Sequence, residues 1–316
     1  MVSIIIPVYN RKDLLKFTLE SIEKCDSIDK EIIIVDDGSI EDIMGMLLSE
    51  FPNLKYNYMK TSNQGATAAR NLGIGLAKND YVVFLDSDDL IETDFFLGRL
   101  EFLQTHPYLD AIYGPWDHIT AESTLTNPTI IPRRTEYPLY SDGKESLILR
   151  NLLGGWYINQ CSIMWKKSFI EKIGGFDSTL KINQDVDLVF RALMNGAKIS
   201  GAKLPRTLYR DHEEMRVGKF IGNELKLSQI LDLRKKFVRE LEHRQLFNED
   251  LKEELSYFLF QFWAEIRKST PNIAEEFLKF SIQVKPDLKV RGGKLYVLLA
   301  YLLGNKNATL IKQLFN

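Results

Sequence analysis

The sequence predicts an α/β fold: an open, mostly parallel sheet flanked by helices, followed by an all-helical C-terminal region. Three observations predict it. Short β-branched runs alternate with amphipathic stretches through the first third of the chain, which is the pattern of strands joined by crossover helices. Polar and acidic sequence follows directly on those runs, and from about Lys219 the apolar spacing becomes three-and-four, the period of helices.

The strand-like runs are VSIIIPVY (2–9), EIIIVDD (31–37), LKYNYMK (54–60) and DYVVFLD (80–86). Residues 11–24 carry Leu14, Leu15, Leu19 and Ile22 on one side and supply the first crossover helix. In such sheets ligands bind at the carboxyl ends of the strands, where Asp36–Asp37 and Asp86–Asp89 fall. The section from 109 to 218 is less regular. LDAIYGPWDHI (109–119) and NQCSIMWKK (159–167) read as strands, separated by a Pro- and Thr-rich loop from Thr120 to Pro138. NQDVDLVFRALMNGAK (183–198) reads as a helix closed by Gly196, and KISGAKLPRTLYRDH (198–212) as an extended segment. Beyond it, Leu251, Leu255, Phe258, Leu259, Phe262, Trp263 and Ile266 form an apolar stripe, and Pro271, Pro286 and Gly292-Gly293 punctuate the region into four helices. Two domains are therefore expected, 1–218 and 219–316.

Composition narrows the function. With 316 residues, 45% apolar, 27% charged and a net charge of −2, the chain reads as an ordinary globular protein, and nothing calls for nucleic acid as a partner. From Phe220 onward, 16 Lys+Arg face 12 Asp+Glu, so the positive charge gathers in the helical region. Cys25 and Cys161 lack any zinc or redox spacing, which fits a reducing cytoplasm. MVSIIIPVYN has no basic leader, and no run reaches the roughly 20 apolar residues that span a bilayer. Neither a signal peptide nor a transmembrane helix is expected.

The segment VVFLDSDDL (82–90) places three aspartates within four positions after an apolar run. Neighbouring carboxylates repel and need a cation or strong donors. If the strand persisted, Asp86 and Asp88 would face one side and share a divalent ion. Hard oxygen ligands favour Mg²⁺ or Mn²⁺ completed by substrate phosphate. The plain alternative is one aspartate capping a helix and the others in solvent.

IPVYN, EIIIVDDGS, NQGATAARNLGI, FLDSDD, NQDVDLVFR and LYRDH occur in this order, and together they resemble the family 2 glycosyltransferases over about residues 2–218. The resemblance implies the Rossmann-like GT-A fold and an inverting transfer from a nucleotide-sugar donor. It implies that Tyr9, with Pro7 as its wall, lies against the base, that Asp37 recognises the base, and that Gly65 and Arg70 approach the nucleotide. By the same mapping Asp86 contacts the ribose and Asp88 holds the metal, Mn²⁺ or Mg²⁺, with Ser87 between them. Asp185 becomes the general base toward an acceptor hydroxyl, His212 a late metal or diphosphate ligand, and Arg216 a partner of the leaving diphosphate. Gln184 stands where the pattern usually has Glu, a change of local charge that retains the base. A carboxylate at a helix start is expected to have a lowered pKa.

UDP-sugar is the expected donor, with GDP- and dTDP-sugars left open, and the acceptor is a glycan, lipid-linked or protein-linked hydroxyl. Two rivals stand beside this reading. A phosphohydrolase of the haloacid dehalogenase kind also carries DxD after a strand, but Leu90 replaces its usual Thr or Val and VDDGS would have no role. A catalytically silent nucleotide-sugar-binding scaffold would leave Asp185 without function. The helical region is open to three readings. It packs on the catalytic domain or on another copy of the chain; it offers Lys285, Lys289, Arg291 and Lys294 to a membrane at its inner face; or it recognises the acceptor.

Overall fold

The computed structural model describes residues 1–132, 137–211 and 223–288. The first four predicted runs become β1 (Val2–Val8), β2 (Lys30–Asp36), β3 (Tyr56–Lys60) and β4 (Tyr81–Phe84), joined by α1 (Lys12–Glu23), α2 (Ile43–Glu50) and α3 (Ala66–Leu76). All seven residues of β1 are buried, because a parallel strand with both faces covered needs a continuous apolar run rather than an alternating one. It pairs in parallel with β2 on one side and β4 on the other, Ile5 lying opposite Ile33 and Phe84. Helix α1 buries Leu15, Leu19 and Ile22 completely; each such side chain contributes on the order of 1.5–3 kcal/mol. Helix α3 approaches β1 so closely that a Cβ on Gly73 would stand 2.3 Å from Ile5 Cγ2. Small residues here serve close packing.

The chain continues through β5 (Leu90–Ile91), α4 (Phe95–Thr105), β6 (Ala111–Tyr113), β7 (Trp116–Ile119), α5 (Glu145–Leu153), β8 (Ile163–Lys166), α6 (Lys167–Lys172), α7 (Gln184–Met194), β9 (Ile199–Gly201) and β10 (Thr207–Arg210). One seven-stranded sheet runs β3-β2-β1-β4-β8-β6-β9, and a three-stranded sheet runs β5-β10-β7. Strand β8 is antiparallel to both neighbours, so the sheet is mixed at its centre. Two expected strands are each divided between the sheets. The run 109–119 breaks at Gly114-Pro115 into β6 and β7, and 198–212 breaks before Thr207 into β9 and β10. Pro115 and Pro205 remove ladder donors at those points.

Strand β4 ends at Phe84, and residues 87–88 form a turn closed by Asp89 N donating to Asp86 O at 3.2 Å. The alternation that would set Asp86 and Asp88 side by side is therefore absent. Crowded carboxylates are separated by a turn instead of being aligned by a strand.

At the end of β2, Gly38 holds φ +84°, and an added Cβ would meet Asn63 N at 2.9 Å and Thr61 O at 3.2 Å. Both objections involve backbone atoms that cannot rotate away. Gly38→Ala is expected to lower stability by roughly 1–3 kcal/mol, read as a drop in the thermal unfolding midpoint.

Two compact units divide the chain: Met1–Leu149 with Tyr157–Arg216, and Arg150–Trp156 with Val217–Asn316. In the second, α8 (Glu224–His243), α9 (Glu249–Ile266) and α10 (Pro271–Val284) follow the predicted stripes. Asn223 and Asn248 cap α8 and α9 through their side chains, and Pro271 opens α10. Helices α9 and α10 meet through stacked Phe262 and Phe277, 5.3 Å apart, and through buried Ser256 and Ser281, whose hydroxyls lie 2.9 Å apart. Within the same unit Arg150 pairs with Glu254 at 3.0 Å. The expected fourth helix, with Lys289, Arg291 and Lys294, lies outside the described residues. No described helix is long and apolar enough to cross a membrane.

Candidate active site

The carboxyl ends of β1, β2 and β4 and the start of α3 surround a cavity of about 340 Å³. Its walls include Pro7, Tyr9, Asp37, Gly65, Arg70, Asp86 and Ser87, together with Arg11 and Asn63. Tyr9 is 47% exposed although it follows a fully buried strand, so an aromatic face is available to a flat ligand. Asp37 is buried, and its two oxygens accept from Gln64 N at 2.8 Å and Gly65 N at 2.7 Å. It clamps the turn into α3 and keeps further lone pairs, since a carboxylate offers about four. Gly65, with φ +95°, makes that turn. Neighbouring Asp36 faces into the protein. Burial acts to raise its pKa, but bonds from Ser39 and the Tyr58 hydroxyl (2.6 Å), with Lys60 nearby, outweigh this and leave it lowered.

The three aspartates of the turn find three different sets of partners. Asp86 accepts from Arg70 at 2.6 Å and from the Gln160 amide at 2.9 and 3.0 Å. Asp88 forms an ion pair with Arg11. Asp89 turns inward, accepts from Arg210 N at 2.9 Å and leaves Oδ2 without a hydrogen-bond partner. Burial, with the charges of Asp88 and Asp86 added, pushes its pKa well above the usual carboxylate range. Arg210 spans this region, donating to the carbonyls of Asp88, Ala121 and Ser123.

Arg70 joins the turn to the start of α7. It is buried, its guanidinium donates to Gln184 Oε1 at 2.7 Å as well as to Asp86, and it lies 5.4 Å from the centre of the Phe176 ring. A planar fork held on two sides suits arginine and not lysine. Asp185, the next residue on α7, is half-buried and accepts from Val186 N at 2.9 Å. Its pKa is raised to about 6, chiefly by burial; the bond from Val186 and the charge of Arg70 pull down, and Asp86 pushes up. The expected lowering is thus reversed, because loss of hydration outweighs the helix-start hydrogen bond. Asn183 begins α7 in left-handed conformation, φ 54°, without capping through its side chain.

Among the described residues, Asp86, Asp89 and Cys161 bring three ligand atoms within 4.8 Å of one another. This group does not suit a hard cation. Asp89 and the Cys161 thiol are sealed from solvent and both have raised pKa values, burial being the main cause. The carboxylates at the cavity fit better: Asp86 lines it, and Asp88, 7% exposed, already attracts a cationic group that lines it, the Arg11 guanidinium. Oxygen donors beside a cavity are the set that Mg²⁺ or Mn²⁺ takes. His212 and Arg216 lie outside the described residues. Sequence reasoning missed Gln160 and Arg11. Gln160 sits in a 3-10 turn, Gln160–Ser162, inside what reads as a strand, whereas Arg11 directly follows the PVYN segment and had a positional signal.

A Rossmann-like half-sheet with aspartates at successive strand ends around a cavity, joined to a mixed half-sheet by an antiparallel strand, defines the GT-A class of transferase fold. The chain belongs to glycosyl transferase family 2, whose sequence model matches residues 3–174. A glycosyltransferase of uncharacterised role from Haemophilus influenzae is 31% identical over 195 residues, covering 61% of this chain and 62% of that protein. The Escherichia coli UDP-Glc:alpha-D-GlcNAc-diphosphoundecaprenol beta-1,3-glucosyltransferase WfaP is 28% identical over 218 residues, 67% of this chain and 78% of WfaP. Several relatives extend well beyond the shared stretch, which spans 18% of a glycosyltransferase from Rickettsia felis and 14% of one from Rickettsia bellii. Residues 1–349 of Staphylococcus aureus TarS, crystallised with UDP-GlcNAc, share the fold with a TM-score of 0.69 at 18% identity, covering 99% of this chain and 91% of that one.

Proposed function

We propose that the protein is an inverting glycosyltransferase that moves a sugar from a nucleotide-sugar donor, a UDP-sugar foremost, to a hydroxyl of a glycan, lipid-linked or protein-linked acceptor. The observation that carries this reading is the convergence of Pro7, Tyr9, Asp37, Gly65, Arg70, Asp86 and Ser87 on one cavity, although they come from four separate segments of sequence. The exposed Tyr9 ring serves the base, the free lone pairs of Asp37 serve its imide N–H, and Asp86, oriented by Arg70 and Gln160, serves the ribose.

Asp185 takes the proton of the acceptor hydroxyl as that oxygen bonds to the anomeric carbon. The bond from that carbon to the diphosphate breaks on the opposite face, and the electron pair leaves with the nucleotide. A base with a pKa about one unit below working pH is mostly ionised yet still proton-hungry. A divalent ion, Mn²⁺ or Mg²⁺, would be held by Asp88, with His212 as a further candidate ligand, and would supply neutralising charge to the departing diphosphate. WfaP is named for a diphosphoundecaprenol-linked acceptor, which favours a lipid-linked acceptor met at the inner face of a membrane, and the helical unit is proposed to serve acceptor contact or self-association.

The test is a panel of UDP-, GDP- and dTDP-sugars with Mn²⁺, followed by thermal stabilisation and nucleotide release. UDP-sugars are expected to stabilise the protein most, and Asp88→Asn is expected to remove the Mn²⁺-dependent part. Tyr9→Ala should weaken UDP about tenfold, the loss of one base–aromatic stack of roughly 1–3 kcal/mol. Indifference to every nucleotide in the presence of metal would sink the reading.

A further inference from the structure

We infer that Lys181 is a donor-binding residue: from the loop between α6 and α7 its ammonium reaches the rim of the cavity at Gly65 and pairs with the diphosphate of the nucleotide sugar. This rests on the reading of that cavity as the donor site.

The backbone that carries Lys181 is braced against α3. At one end of the loop the Asn71 side chain donates to Phe176 O and accepts from Phe176 N, both at 2.8 Å. At the other, Gln184 accepts from Arg70 at 2.7 Å and donates to Leu180 O at 3.2 Å. Between them Asp177 folds the chain on itself: its carboxylate accepts from Thr179 N at 3.0 Å and Thr179 Oγ1 at 2.6 Å, and its carbonyl from Leu180 N at 3.2 Å. Lys181 follows directly. Its side chain leaves this frame toward the start of α3, where a Cβ added to Gly65 would lie 3.9 Å from Lys181 Nζ. Gly65 and Ala66 both belong to the cavity wall, so the ammonium stands within contact range of a ligand that passes over this glycine.

Charge gives the contact its use. The cavity lining holds two cations, Arg11 and Arg70, and two carboxylates, Asp37 and Asp86. Both arginines already pair with a carboxylate, Arg11 with Asp88 and Arg70 with Asp86. A diphosphate brings further negative charge, which this lining does not offset. Lys181 is exposed and forms no ion pair among the described residues, and the positive end of α3, which begins at Ala66, lies beside it. A compact ammonium on a flexible stem can follow phosphate oxygens without needing the fixed fork of arginine. The same charge favours departure of the nucleotide, because negative charge grows on the diphosphate as its bond to the anomeric carbon breaks.

Lys181→Gln separates a phosphate contact from a contact to the nucleoside. UDP, titrated calorimetrically both with Mn²⁺ and without it, should bind about threefold to tenfold more weakly than to the unmodified protein, the range for a charge-assisted contact at an exposed rim. The difference should shrink as salt is raised. Uridine, followed by ligand-observed NMR, should bind both proteins equally. Lys181→Arg keeps the charge and should hold UDP within about twofold of the unmodified protein, which guards against a Gln variant that folds poorly. Equal UDP affinity in Lys181→Gln and the unmodified protein overturns the inference and leaves the donor site standing. Losses of the same size for UDP and uridine place Lys181 on the nucleoside and overturn it as well. An unmodified protein that binds neither UDP nor uridine overturns the donor site itself, and the inference with it.

Discussion

Asp185→Asn is expected to cut turnover by roughly 10²- to 10⁴-fold while making the protein more stable at neutral pH. The loss follows from removing the proposed general base, the range being that of general-base catalysis. The gain follows from the raised pKa. With a folded value of about 6 against an ordinary aspartate near 4, this carboxyl contributes stability that is fully present below pH 4 and is lost as pH rises through 6. An amide keeps the neutral form at every pH, and its oxygen can still accept from Val186 N. The variant should therefore melt higher than the unmodified protein at pH 7.5, by on the order of 2 kcal/mol, and should match it near pH 4. The unmodified enzyme should show an acid limb in kcat/KM near pH 6. A variant that melts lower at pH 7.5, or that retains turnover, is incompatible with Asp185 as a desolvated base.

Arg70→Met should be the most disruptive substitution in the site. It removes the charged partner of Asp86 and the donor to Gln184 Oε1 together, and stripping one member from a largely buried pair costs about 3–5 kcal/mol. UDP affinity should fall with it, because Asp86 then loses its charged donor and is held by the Gln160 amide. Asp86→Asn in the same chain should recover part of the stability, since the orphaned charge is gone, but none of the nucleotide binding. A double-mutant cycle in chemical denaturation, with UDP titrations alongside, measures both. Strict additivity of the two stability losses would show that the pair does not act as a unit.

How far the sequence reached depended on the type of signal. The first half-sheet was legible because β1 and β2 are continuous apolar runs and the helices between them keep a clean period. The second half was less so. Gly114-Pro115 and Pro205 divide runs that look continuous, and no local signal says that the two pieces join different sheets. That Pro7, Tyr9, Asp37, Gly65, Arg70, Asp86 and Ser87 line one cavity was legible through the order of their segments. The behaviour of Asp86, Asp88 and Asp89 was not, since it depends on where β4 stops and on distant Arg11, Arg70, Gln160 and Arg210. The pKa of Asp185 had the wrong expected sign because a helix start is visible in sequence and burial is not. Nothing in the spacing of the chain marks Arg150–Trp156 as part of the helical unit.

That short detour shapes how the protein can change over evolutionary time. Gly155, at φ +93°, presses so near Phe258 that a methyl group would sit 2.7 Å from the ring, and Arg150 reaches Glu254, so the seven residues are matched to α9 across a hundred positions of sequence. A recombination event with one breakpoint near residue 217 would bring in a foreign tail without the piece that fits it. Exchanging the helical unit intact would mean exchanging residues 150–156 with it, since Gly155 and Arg150 would otherwise face partners that do not match them.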